Sequence, residues 1–108
     1  MDEESEDLNT YVDSICFTAS PARFRGRRID PSHAALIELM KEGKTLHYVA
    51  DVLELGYDAP RKRKRGTVEK WLDRGKKTYN AVIAESYREQ TKEQIWVLIH
   101  FGKFTRRK

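Results

Sequence analysis

Apolar residues recur along this chain at two different spacings, and the change between them divides it into segments. Tyr11, Val12, Ile15, Cys16 and Phe17 give a short strand signal, with Asp13 and Ser14 interrupting the alternation. The clearest helix opens at Asp30 and Pro31. The Asp30 carboxylate can accept from the exposed N–H groups of a first turn, while Pro31 has a pre-set backbone angle and no N–H to orphan. Leu36, Ile37 and Met40 then recur on one side, Leu39 widens the stripe, and Gly43 ends it. Thr45 can cap a second helix, with Leu46, Val49, Ala50, Val52 and Leu53 as its apolar face and Gly56 as its stop. Neither helix is long enough to be stable alone, so the resulting hairpin must pack on another layer.

From Val68 onward the spacing shortens to two. Val68, Lys70 and Leu72 alternate with Glu69 and Trp71, residues 73–76 form a turn, and Tyr79 to Tyr87 returns as a strand. A short amphipathic helix over 67–73 satisfies the same residues, and local propensity does not choose between the two. A polar turn at 88–93 precedes Ile95 to Ile99, whose continuous apolar side chains suit a central strand covered on both faces. Phe101 and Phe104 belong to a final strand or a fraying tail. The order is strand, two helices, then three or four antiparallel strands. It predicts an α+β domain with a two-helix hairpin packed on an antiparallel sheet of about four strands.

Length agrees with a single core. At 108 residues, the chain is too short for two independent domains, so residues 9–108 are expected to form one unit with a basic C-terminal tail. Residues 1–8 hold five acids, Asp2, Glu3, Glu4, Glu6 and Asp7, and almost nothing to bury, so they are expected to be disordered. Taking those five negative charges from the net +4 leaves +9 on residues 8–108. A field of that sign favours polyanions or an acidic protein partner. The acidic start is unlike a secretory leader, and no stretch approaches the roughly 18 apolar residues that span a bilayer. A cytoplasmic location and no membrane partner are expected.

The basic residues are the most prominent functional feature as a group. Arg23, Arg25, Arg27 and Arg28 precede the first helix, with Phe24 interleaved as an aromatic contact for nucleic acid. Arg61, Lys62, Arg63, Lys64 and Arg65 are five consecutive cations that cannot enter a core, and they form a solvated loop suited to phosphate contacts. Solubility alone is the plainer reading of both runs. Dinucleotide, phosphate-loop, calcium-loop and zinc-peptidase motifs are absent, as is the nucleophile-elbow motif. His33, His47 and His100 lack metal-pair spacing and Cys16 is the only cysteine, so neither a metal nor a cofactor is expected.

His33 lies in the first turn of the first helix and His100 at the end of the apolar strand. Both are candidates for proton transfer, with Glu69 as a second acid/base or orienting group. Their ordinary readings are a polar group near a helix start, a solvent-exposed strand end and a cross-strand ion pair. Arginine or lysine beside such groups could stabilise charge on a phosphodiester, and RNA can supply its own 2′-OH as nucleophile.

Residues 32–43, the second helix through Gly56, residues 66–71, 78–86 and 95–102 together resemble small prokaryotic proteins of the DUF4258 group. That group is similar to the RelE/ParE-like toxins. The resemblance covers residues 11–105. It implies a RelE-like α+β domain, RNA cleavage with or without the ribosome, and an antitoxin protein as partner. The Ser32, His33, Ala34 run matches the group's histidine position, whereas Glu69 and His100 are candidates from the residues themselves. The expected function is therefore a toxin-like ribonuclease using metal-independent acid/base chemistry. A noncatalytic nucleic-acid-binding or protein-interaction module is the alternative.

Overall fold

The computed structural model describes residues 21–60 and 63–105. The acidic start, the strand expected at Tyr11 to Phe17, Cys16, Arg61, Lys62 and the last three residues of the basic tail lie outside the described residues. The elements are β1 (Arg23–Phe24), β2 (Arg27–Pro31), α1 (His33–Glu42), α2 (Leu46–Leu55), β3 (Tyr57–Asp58), β4 (Thr67–Arg74), β5 (Lys77–Arg88) and β6 (Glu93–Thr105). The strands form one sheet in the order β1-β2-β6-β5-β4-β3. The α+β class and the helical hairpin are present. The four-stranded antiparallel sheet is replaced by six strands in a mixed sheet, because β2 pairs with β6 in parallel, Ile29 opposite Trp96 and Pro31 opposite Leu98. Among the described residues, no helix is long and apolar enough to cross a membrane.

β1 and β2 are a hairpin across Arg25 and Gly26, both at positive φ. Their sequence hides them: Ile29 is the only apolar residue of β2, and the arginines around it read as a charged lead-in. Ile29 is nevertheless fully buried. The first helix also starts one step later than its sequence suggests. Pro31 ends β2, and Ser32 is the cap, its hydroxyl accepting from Ala35 N at 3.1 Å. Asp30 instead faces Arg28 at 2.9 Å and Arg88 at 3.6 Å. Gly43 and Thr45 act as expected, closing α1 in a left-handed cap and opening α2 by accepting from Tyr48 N.

Both helices lie on one sheet face. Leu36, Leu39, Leu46, Val49, Val52 and Leu53 meet Ile29, Leu72, Ala81, Ile83, Trp96, Leu98 and Phe101 in a continuous core. Residues 67–73 are strand throughout, since eight pairs with β5 and two with β3 satisfy the backbone on both sides. The apolar run and the supposed tail are likewise a single strand, β6.

β6 contains a bulge. Val82 opposes His100 and Ile83 opposes Leu98, so Ile99 is an extra residue. Trp96 and Leu98 point to the helices, and uninterrupted alternation would send His100 there next. The bulge inverts the phase and Phe101 enters the core, at 1% exposure. Beyond the end of β2 the free edge of β6 is covered by α1: Phe101 N donates to Glu38 Oε1 at 3.0 Å and Lys103 Nζ meets Glu42 at 2.9 Å. The Glu42 carboxylate holds the Lys103 ammonium pKa above its ordinary value.

The turn from α2 into β3 depends on close backbone contact. A methyl group on Gly56 would meet the Val52 carbonyl oxygen and lie 2.5 Å from that of Trp71. Gly56→Ala should therefore cost about 2–3 kcal/mol through forced backbone separation. Denaturant unfolding measures this, with Gly43→Ala, where the methyl meets no atom, as a comparison for left-handed strain alone.

Candidate nucleic-acid interface

The two basic segments lie 33 or more residues apart in sequence, yet they flank the same cleft. Arg25 comes from the β1–β2 turn. Arg63, Thr67, Val68 and Glu69 come from the start of β4 and the loop before it, and Asp58 and Ala59 from β3. The cleft has a volume of about 290 Å³. Arg25 is exposed and stacks on Phe24 with its guanidinium carbon 4.7 Å from the ring centroid, and Arg27 lies over Trp96 at 5.2 Å. Lys64 and Arg65, next to Arg63 in the same loop, are exposed. Arg23 is exposed and reaches the Gly26 carbonyl at 3.4 Å, while Arg28 is half-buried against Asp30.

Phe24 does not present its ring to a ligand. It is 4% exposed, packs at 6.1 Å from Trp96, and accepts the indole N–H on its backbone carbonyl at 2.9 Å. Sequence position between two arginines had suggested an aromatic contact. The short β1 turns that ring inward and leaves the arginines outside.

Glu69 forms the floor of the cleft and is almost fully buried. Arg63 Nε and Nη2 both donate to Oε1, at 2.8 and 2.7 Å. Trp71 Nε1 donates to Oε2 at 2.9 Å, and Asn80 Nδ2 lies at 3.4 Å from the same oxygen. These donors engage both carboxylate oxygens. Glu69 thus anchors the basic loop through Arg63. The cleft's other acid, Asp58, is exposed, and its hydrogen bond and charge contact with Lys70 hold its carboxyl below the ordinary range.

His100 lies in the same cross-strand row and on the same sheet face as Glu69, two strands away, since both oppose Val82 from either side of β5. Two strand spacings put their backbones about 10 Å apart. Asn80 lies between them. Its amide nitrogen approaches Glu69, and its carbonyl oxygen and His100 Nε2 both border the space above Gly102, which a methyl group would fill at 2.8 and 3.0 Å. On its other side His100 Nδ1 is 2.8 Å from Glu38 Oε2. Glu38 and Asn80 were not foreseen, because sequence places them in a helix face and a strand without revealing that the β6 bulge brings His100 between them. His33 is exposed in the first turn of α1, and no hydrogen bond or ion pair among the described residues joins it to Glu69 or His100. The three candidates therefore do not form one triad. Glu69 and His100 share a sheet face, and His33 stands apart.

Among the described residues, no group of three histidine, cysteine, aspartate or glutamate side chains is placed to hold a metal ion. Compared with family models, curated proteins and solved structures, the chain matches none.

Arg63 differs from its basic neighbours in having a buried carboxylate to hold. Arg63→Ala should lose about 2–3 kcal/mol of stability, the scale of charge-assisted hydrogen bonds left unmade at a buried group. Lys64→Ala and Arg65→Ala should each stay within about 0.5 kcal/mol. Urea titrations of the three variants provide the comparison, and equal effects would show that the Glu69 anchor contributes nothing.

Proposed function

We propose that this chain is an RNA-directed protein of the RelE-like toxin kind, and that the cleft between the β1–β2 turn and the loop before β4 is its phosphate-binding face. The observation that carries the reading is convergence: Arg25 and Arg63, from separate basic segments, line one open cleft, with Lys64 and Arg65 exposed next to Arg63 in the same loop. Surface cations with only a solubilising role would have no reason to gather there. The +9 body supplies long-range attraction for a polyanion. The resemblance to toxin-like proteins supports the RelE-like fold and an antitoxin partner, and the two-helix α+β architecture is compatible with it.

Fluorescence anisotropy of a labelled single-stranded RNA, measured over a series of salt concentrations, tests the binding reading. Replacing Arg25, Lys64 and Arg65 together with alanine should weaken binding and flatten the logarithmic salt slope by about 0.7 for each lost phosphate contact. Unchanged affinity and slope would remove the cleft from the interface.

A ribonuclease reading is favoured by one further arrangement, the Glu38 and His100 pair. A carboxylate at Nδ1 fixes the tautomer and ring orientation of an imidazole, leaving Nε2 as the proton acceptor. In this scheme Nε2 takes the proton of an RNA 2′-OH as that oxygen bonds to the adjacent phosphorus. The P–O5′ bond breaks, the 5′ oxygen takes a proton from the imidazolium, and a 2′,3′-cyclic phosphate remains. Incubating end-labelled RNA with the protein, with and without ribosomes and with EDTA, should give cleavage that persists in EDTA. Folded His100→Ala should lose that cleavage while retaining RNA affinity, and His33→Ala should retain both. Absence of cleavage in both RNA contexts, or full activity of His100→Ala, rejects the scheme and leaves the binding reading intact.

A further inference from the structure

A second cleft of about 260 Å³ lies at the same end of the sheet, lined by Arg27, Glu85, Ser86, Tyr87 and Gln94. It is joined to the first through the loop before β4: Glu85 N donates to the Gly66 carbonyl at 2.8 Å, and the Glu85 side chain borders Gly66. Arg27 and Arg25 belong to the same short hairpin, so one cation reaches each cleft. Glu85 would repel a polyanion if left alone, but it is half of an ion pair with Arg27 at 3.4 Å.

Tyr87 sets this cleft apart. Phe24, Tyr48, Tyr57, Trp71, Tyr79, Trp96, Phe101 and Phe104 each pack against another ring. Among the described aromatic residues, Tyr87 alone has no ring partner, and it is 51% exposed. It stands opposite Gln94 in the β5–β6 ladder, on the same sheet face as Glu85. An exposed aromatic face, an amide with both donor and acceptor, and a guanidinium in one open cleft are the groups that hold a planar, hydrogen-bonding heterocycle.

We infer that the Tyr87 cleft is a base subsite, taking an unpaired nucleobase of single-stranded RNA whose neighbouring phosphates occupy the Arg25 and Arg63 cleft. The inference rests on the phosphate-binding reading above and adds the class of RNA: the base must be unstacked to lie on Tyr87, so a fully paired duplex is excluded from this subsite. Stacking on one aromatic ring supplies affinity without sequence choice, and Gln94 is placed to discriminate between base edges.

The test compares Tyr87→Ala and Tyr87→Phe with the unaltered protein, by anisotropy, on three labelled probes: an oligouridylate, the same-length oligomer with abasic ribose positions, and an RNA duplex. Tyr87→Ala should weaken oligouridylate binding about 10-fold or more. Its salt slope should not change, because no phosphate contact is lost. Tyr87→Phe should keep the affinity, and neither variant should alter abasic or duplex binding or the thermal unfolding midpoint. Unaltered oligouridylate affinity in Tyr87→Ala overturns the subsite, as does an equal loss on the abasic probe. In either case a continuing loss in the Arg25, Lys64 and Arg65 variant keeps the phosphate reading. No binding of any probe by the unaltered protein overturns both.

Discussion

β6 carries constraints that no other element could take over. Its early residues pair in parallel with β2, its length pairs with β5, and its later free edge is covered by α1. Those demands conflict unless the strand changes phase. Trp96 and Leu98 must face the helices to pack with Ile29, whereas Phe101, the largest fully buried side chain among the described residues, must face them to fill the space between Tyr48 and Tyr79. An even spacing cannot serve both sets, and the extra residue Ile99 reconciles them. The same step sends His100 out of the core toward Glu38 and Asn80. Core packing and the His100–Glu38 pair therefore share a cause, and the bulge would have to persist for packing reasons even if His100 had no chemistry to perform.

Electrostatics works by a related sharing of roles. A run of adjacent cations cannot be ordered by its own members, since like charges at such spacing repel. Burying the Glu69 carboxylate beneath Arg63 fixes one cation of the run, and the Trp71 and Asn80 donors offset the cost of burying the anion. Thr67 N and the Thr67 hydroxyl hold the Lys64 carbonyl, so the next residues leave the sheet along a defined path. Lys64 and Arg65 then follow a fixed Arg63 and are exposed, and no ion pair joins either to an acid among the described residues. Glu69 organises positive charge and does not have to move a proton to matter.

Much of the architecture was legible where the local signal and the tertiary requirement agreed. Gly43 and Thr45 mark helix boundaries because capping is a local hydrogen-bonding problem, and the helix faces follow from spacing alone. Asp30 was misleading for the same local reason: it suits a cap, but β2 extends to Pro31 and places the carboxylate among Arg28 and Arg88 instead. β1 and β2 were hidden because a strand of five residues with one buried apolar position has no alternation to detect. The parallel pairing of β2 with β6 joins residues more than sixty positions apart and leaves no trace in either segment. For the site, residue types were readable and their grouping was not. Glu69 and His100 were named from chemistry, while Asn80 and Glu38, which lie on either side of His100, depend on register across β5 and on a helix covering a strand edge.

Charge along the chain and charge in space thus tell different stories. A linear reading separates the arginines before α1 from the run at 61–65 by two helices, and either group alone is what any soluble basic protein displays. In the folded sheet the β1–β2 turn and the loop before β4 approach the same end, because the helical hairpin between them spans one face and returns the chain to the opposite sheet edge. The helices close the core and carry the chain from one sheet edge to the other. Strand pairing fixes both segments, β1 and β2 through β6 and the start of β4 through β5, so which cations line the cleft is set by register and not by their number. That makes the position of the cleft a property of the fold, whereas the net charge that attracts a polyanion to it is a property of composition.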